Sequence, residues 1–141
     1  MVISAAQGLV ADLRGQGFKM TSPRIRVIER VAGRADNFTA EELAAELAEV
    51  GRATVYRTLK LLLDQALICR VILSDGSVCY RASNEAHHHH LVCVGCGATE
   101  DVHLEDIEKL LIRVRSATEY ELVGHRLEVY GYCPSCKRGG V

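Results

Sequence analysis

The chain has 141 residues, a hydrophobic content of 48%, no Trp and a formal net charge of −1. That length suits one ordinary domain or two small ones with cores of Leu, Val, Ile and Ala, and the charge argues against a uniformly basic nucleic-acid binder. No apolar run approaches ~18 residues, which excludes a membrane-spanning helix, and Met1–Gln7 lacks a basic segment followed by an apolar one, so a cytoplasmic protein is expected.

From about Ser4 to Arg14, Leu9, Val10 and Leu13 fall on one helical face, ending at Gly15-Gln16-Gly17. A second helix starts at Thr21-Ser22-Pro23, with Ser22 expected as its cap and Pro23 in its first turn. It carries Ile25, Val27, Ile28 and Val31 and stops near Gly33. Thr39-Ala40-Glu41-Glu42 is a capping box opening a third helix, with Leu43, Ala44, Leu47 and Val50 at helical spacing up to Gly51. A fourth, from about Ala53 to Gln65, turns Val55, Leu59, Leu62 and Leu63 inward and Thr54, Tyr56, Arg57 and Lys60 outward. The period then changes to 2: Ile68–Leu73 and Val78–Arg81 read as strands joined by Ser74-Asp75-Gly76-Ser77. Helices followed by a hairpin predict a winged helix-turn-helix.

Ala82-Ser83-Asn84-Glu85-Ala86 is small and polar, a natural hinge. Beyond it the pattern predicts strands near His89–Val94 and Thr99–His103 and a helix at about Leu104–Arg115, with Ile107, Leu110, Leu111 and Val114 on one face. A last strand over Tyr120–Tyr132 would use Leu122, Leu127 and Val129, with Val123 as a further candidate. The expected fold is α/β, with a winged-helix domain at 1–82, a hinge at 83–86 and a metal-binding domain at 87–141.

The two parts differ in chemistry. Residues 1–82 carry eleven Lys/Arg against nine Asp/Glu, and 83–141 carry six against nine; all six histidines and four of the six cysteines lie in the second part. Cys93-x-x-Cys96 and Cys133-x-x-Cys136, 36 residues apart, read as four thiolates closing a tetrahedral shell around zinc. Gly95 and Gly97 are expected to permit the turn that aims the first two sulfurs. A closed shell leaves no position for water or substrate, so this zinc is structural rather than catalytic. In His87-His88-His89-His90, strand alternation sends His87 and His89 to one face and His88 and His90 to the other. One tetrapeptide then serves two metal sites, or one face binds metal and the other is exposed imidazole.

Thr54, Tyr56, Arg57 and Lys60 on the fourth helix are the candidate DNA-facing set, since Arg reaches guanine edges or phosphate and Tyr a thymine methyl or phosphate. A solvated helix face is the bland alternative.

Gly17–Arg24, the run Ala53-Thr54-Val55-Tyr56-Arg57-Thr58-Leu59, His87–Cys96, His125 and Cys133-x-x-Cys136 together resemble the ferric uptake regulator superfamily over about residues 8–136. The resemblance implies a winged-helix domain, a C-terminal α/β dimerisation domain, a homodimer, and metal-dependent repression at AT-rich palindromic operators on double-stranded DNA. It also implies two metal sites besides the four-cysteine zinc. One takes His87, His89, Glu108 and His125. The other lies at the hinge, takes His88 and His90 with residues from the DNA-binding side, and does the sensing.

At the hinge the chain departs from the iron-sensing pattern. Asn37 stands where that pattern has a histidine, and residues 1–82 hold no histidine. Asp64 and Cys79 are the groups available, a set similar to the zinc uptake regulator branch. A thiolate beside two imidazoles and a carboxylate favours zinc over iron or manganese. Cys79 is either this ligand or a core cysteine, and Cys69 is assigned to the core. The expected function is a zinc-responsive repressor, with an iron-responsive one as alternative and Fe2+ or Mn2+ as the alternative sensory ions. An enzyme is not expected, because no His-Glu-x-x-His or comparable helix motif is present. A storage protein would not need Tyr56-Arg57 on a winged helix.

Overall fold

The computed structural model describes residues 4–83 and 88–139. The chain forms two compact units, the first ending at Ile72 and resuming from Gly76 through the hairpin, the second holding Leu73–Asp75 and the described residues from His88 onward. Asn84–Ala86 of the expected hinge, and His87, lie outside the described residues.

In the first unit, α1 (Ala5–Gly15), α2 (Ser22–Ala32), α3 (Ala40–Glu46) and α4 (Arg52–Asp64) precede the antiparallel strands β1 (Ile68–Ile72) and β2 (Val78–Ala82). Each of the first three helices starts on a side-chain cap. Ser4 and Thr39 form full capping boxes with Gln7 and Glu42. The α2 cap is Thr21, not Ser22: Thr21 Oγ1 accepts from the Arg24 N–H at 3.3 Å, which leaves Ser22 and Pro23 in the first turn. The third helix is shorter than its periodicity suggests. It ends at Glu46, and a 3₁₀ turn at Ala48–Val50 carries the chain to Gly51, whose φ of 79° suits glycine. Leu47 and Val50 are still buried, so the apolar spacing reported burial correctly and helix continuity wrongly.

α4 ends in a Schellman turn. The Leu67 N–H donates to the Leu62 carbonyl at 2.9 Å and the Ala66 N–H to that of Leu63 at 3.0 Å, with Ala66 at φ 57° where glycine is the usual occupant. The turn reverses the chain into the hairpin. Phe38 adds a one-residue third strand, exchanging two backbone hydrogen bonds with Tyr80 at 2.9 and 2.7 Å. A two-residue bridge has no period, so periodicity could not reveal it.

Val10, Leu13, Val27, Ile28, Val31, Phe38, Leu43, Val55, Leu59, Leu62 and Ile68 are among the residues of one continuous buried cluster. Each large side chain fully buried in it contributes roughly 1.5–3 kcal/mol. Register on the hairpin pairs Cys69 with Arg81 and Val71 with Cys79, so both cysteines project from one face of the ribbon while Ile68 and Tyr80 point from the other. Cys79 is buried, but Cys69 is only half-buried and outside the cluster, which corrects its assignment to the core.

The second unit is a sheet in the order β4–β3–β5, from β3 (His89–Cys93), β4 (Thr99–Val102) and β5 (Glu128–Gly131), with α5 (Glu105–Ala117) and the short α6 (Pro134–Arg138). β4 is antiparallel to β3 and β5 parallel to it. The last strand is four residues long, not thirteen. Residues 118–127 are irregular, and Tyr120 and Val123 are 80% and 95% exposed. Among the described residues of this unit from His88 onward, the buried apolar side chains are Val92 and Cys93. α5 buries no residue at all: Leu110, Ile112 and Val114 are exposed.

Candidate metal centres and nucleic-acid face

The four predicted cysteines converge, with all four Sγ atoms within 4.8 Å of one another. β3 delivers Cys93, the following turn Cys96, and the start of α6 Cys133 and Cys136. Gly97 takes φ 77° in that turn; Gly95, expected to share the role, does not take a positive φ. Cys96 and Cys133 Sγ lie 3.9 Å apart, close to the roughly 3.8 Å edge of a tetrahedron with Zn–S bonds of 2.3 Å. The Cys133 N–H donates to Cys93 Sγ at 3.3 Å. That bond, with a second from the Cys96 N–H, brings the Cys93 thiol down to about 6. Cys136 is pushed up to about 12, chiefly by its hydrogen bond with the Cys133 sulfur. One thiolate forms readily, and a full set of four needs a cation among them.

Alternation along β3 separates the histidines. His89 points toward α5 and the 118–127 segment, where its Nε2 lies 3.6 Å from Glu108 Oε1 and His125 Nε2 lies 3.8 Å from the same oxygen. The His89 and His125 ring centroids are 5.3 Å apart. These three groups can hold a metal ion between them; His87, the fourth expected member, is outside the described residues.

On the opposite face His88 and His90 meet edge to face, 4.8 Å between ring centroids. Both approach Asp101 Oδ1, at 3.7 and 4.0 Å. Among the described residues, both ring nitrogens of His88 are buried with no hydrogen-bond partner, a costly arrangement for a purely structural residue. Glu128 Oε1 lies 3.3 Å from His90 Nδ1, the contact by which a carboxylate orients a ligating imidazole. Sequence reading missed Asp101 and Glu128. The signal is strand register: His90 pairs with Asp101 on β4 and with Glu128 on β5, which lines the three up across the sheet.

The other two expected hinge ligands belong to the first unit. Asp64, at the end of α4, is exposed and bonded to Lys60 Nζ at 2.9 Å. Cys79 is buried on β2.

Along α4, Tyr56, Arg57 and Lys60 are exposed and Thr54 is half-buried, while Val55, Thr58, Leu59 and Leu62 are buried. Arg57 Nη2 donates to Thr54 Oγ1 at 3.4 Å, and the Arg52 guanidinium lies 5.8 Å from the Tyr56 ring centroid. The face combines three cationic side chains, Arg52, Arg57 and Lys60, with an aromatic one, a donor-rich surface suited to phosphate and base edges.

Comparison with known proteins agrees with this architecture. Residues 15–130 match the model of the ferric uptake regulator family. The ferric uptake regulation protein of Legionella pneumophila is 35% identical over 131 residues, covering 89% of this chain and 96% of its own length. Among solved structures, the ferric uptake regulator from Francisella tularensis with iron aligns at a TM-score of 0.65 and 27% identity, over 86% of this chain and 96% of that one. A zinc uptake regulator complexed with zinc and DNA aligns at a TM-score of 0.78, over 98% and 99% of the two chains; at 20% identity that likeness shows the fold. The chain therefore belongs to the ferric uptake regulator family, whose members are transcription regulators and not enzymes.

Proposed function

We propose that this chain is a homodimeric, metal-dependent DNA-binding repressor that responds to zinc. The observation that carries the reading is the presence, in one chain, of an outward Tyr56–Arg57 helix face and several convergent His/Cys/carboxylate clusters. Residues 1–82 would read DNA, 83–86 form the hinge, and 87–141 dimerise. Zinc held by Cys93, Cys96, Cys133 and Cys136 staples the dimerisation domain, which has few buried apolar groups of its own. A second copy would cover the open face of α5. Metal at His87, His89, Glu108 and His125 adds a further site in that domain.

Sensing is assigned to His88 and His90, with a thiolate and a carboxylate completing the shell. Cys79 and Asp64 are the proposed donors. Asp101 competes for the carboxylate role, because it already lies beside both imidazoles and Asp64 is engaged by Lys60. Metal binding would select one arrangement of the DNA-reading domains, so operator affinity rises with metal by linkage. A hundredfold rise needs about 2.8 kcal/mol of coupling. The thiolate favours zinc. An iron-responsive repressor is the second reading, favoured by the iron-related name of the Legionella pneumophila relative.

The test is enrichment from a random duplex library with and without zinc, followed by sensor variants on the winning duplex. An AT-rich palindrome enriched only with metal is the expected result; no enrichment in either condition overturns the repressor reading. His88→Ala and Cys79→Ala should each abolish the metal-dependent rise while leaving far-UV circular dichroism unchanged. Asp64→Ala and Asp101→Ala compared side by side identify the carboxylate: the one whose loss leaves binding metal-independent is the ligand. If all four variants keep the native metal response, the sensor assignment is wrong.

A further inference from the structure

Tyr56 is a phenol with its one proton already committed. A phenol carries a single donor and accepts through its oxygen lone pairs. Here the Tyr56 hydroxyl donates to Glu41 Oε1 at 2.7 Å, a short contact typical of a charged acceptor. That bond holds the Glu41 carboxyl below its ordinary range and the Tyr56 phenol above its own. Both directions favour the same state, a neutral phenol donating to a carboxylate.

Glu41 is well placed to hold that proton. It sits in the first turn of α3, whose backbone is fixed by the Thr39–Glu42 capping box, with bonds of 3.0 and 3.1 Å. The Arg52 guanidinium near the ring adds a second restraint on Tyr56. With 39% of Tyr56 exposed, what it offers outward is a ring edge and an accepting oxygen, not a donor.

Base edges differ in how they meet such a group. Guanine presents N7 and O6 to the major groove, both acceptors, and phosphates present only acceptors. A phenol whose proton is spent bonds none of them. It accepts from adenine N6 or cytosine N4, and its ring packs on the thymine methyl. We propose that Glu41 is a specificity-determining residue that, by taking the Tyr56 proton, makes Tyr56 read base edges as an acceptor and apolar ring and discriminates against guanine. This deepens the DNA-binding reading above and rests on it.

The test uses full-length, zinc-loaded protein and the duplex it enriches from a random library, with each base pair replaced in turn at fixed salt. Glu41→Ala frees the proton, so the preference at one position of each half-site should move toward guanine by about five- to tenfold. The shift should vanish in a Tyr56→Phe background, which has no proton to free. Loss of the carboxylate charge will also strengthen binding to every duplex alike; that part persists in the Phe background and is separated by the double-mutant cycle. Glu41→Gln, whose amide oxygen can accept the same proton, should keep the native ranking, and this variant also answers any folding defect of the alanine. An unchanged base ranking in Glu41→Ala overturns the proposal, as does a Gln variant that ranks bases like the alanine. If Tyr56→Ala and Arg57→Ala leave every duplex affinity at the native value, it is the DNA-facing reading that has failed, and the inference falls with it.

Discussion

A Cys133→Ser chain will lose its zinc and, with it, the folded second unit. The four sulfurs lie within 4.8 Å of one another, and from His88 onward the described residues supply only Val92 and Cys93 as buried apolar side chains. With so few buried apolar side chains, a unit of this kind cannot hold its fold on burial alone. Structural zinc supplies about 10–16 kcal/mol of apparent folding free energy in small zinc-finger modules, as large as the whole of the roughly 5–15 kcal/mol that separates folded from unfolded in an ordinary domain. The variant should therefore sediment as a monomer at micromolar concentration and bind at least one fewer zinc per chain. The first unit should still unfold cooperatively, because its buried cluster from Val10 to Ile68 is independent of the cysteines. A tight chelator applied to the native protein should reproduce the same loss. A Cys133→Ser chain that stays dimeric and retains its zinc would remove the four-cysteine staple from the account.

Arg57→Ala carries the second large effect, this time on function with stability intact. Arg57 is exposed on α4, and its hydrogen bond to Thr54 Oγ1 at 3.4 Å is long, so truncation removes little from the fold. A bidentate arginine contact to guanine is worth about 1–3 kcal/mol. A dimer loses two such contacts, so operator affinity should fall at least about thirtyfold. Measured against a set of duplexes, the loss should be concentrated at one base position per half-site. A uniform loss with a shallower salt dependence would instead make Arg57 a phosphate contact. Binding unchanged at every duplex would place the DNA-reading face elsewhere.

How far the sequence could be read depended on which features are local. The Thr39 capping box, the change of period at Ile68 and the separation of His89 from His88 and His90 by alternation are each written within a few residues, and each has a direct counterpart in the fold. The Cys-x-x-Cys pairs were legible across 36 residues only because zinc chemistry demands four donors. Register between strands remote in sequence was not legible. β5 runs parallel to β3, and only that pairing brings Glu128 to His90 and Asp101 to the same row. The overlong last strand failed for a related reason. Val123 and Tyr120 have the apolar character of a strand face, yet they are exposed in the single chain, so their pattern does not report burial within one copy. α3 failed differently: a 3₁₀ turn preserved the inward direction of Leu47 and Val50 while the helix itself had ended.

The division of β3 is the structural basis for the metal argument. His89 looks toward Glu108 and His125, and His88 with His90 looks toward Asp101. On the proposed assignment, two separate clusters on one strand would let one metal build the dimerisation domain while another reports concentration. Two imidazoles and a carboxylate alone suit several divalent metals, and the proposed hairpin thiolate would tip such a set toward zinc.

The most direct measurement is operator binding by protein that retains its structural zinc but lacks the sensory ion, titrated separately with buffered zinc, ferrous iron and manganese. Affinity should rise about a hundredfold, at the lowest free concentration with zinc, and Cys79→Ala should remove this rise. Activation by ferrous iron at buffered levels where zinc has no effect would contradict it.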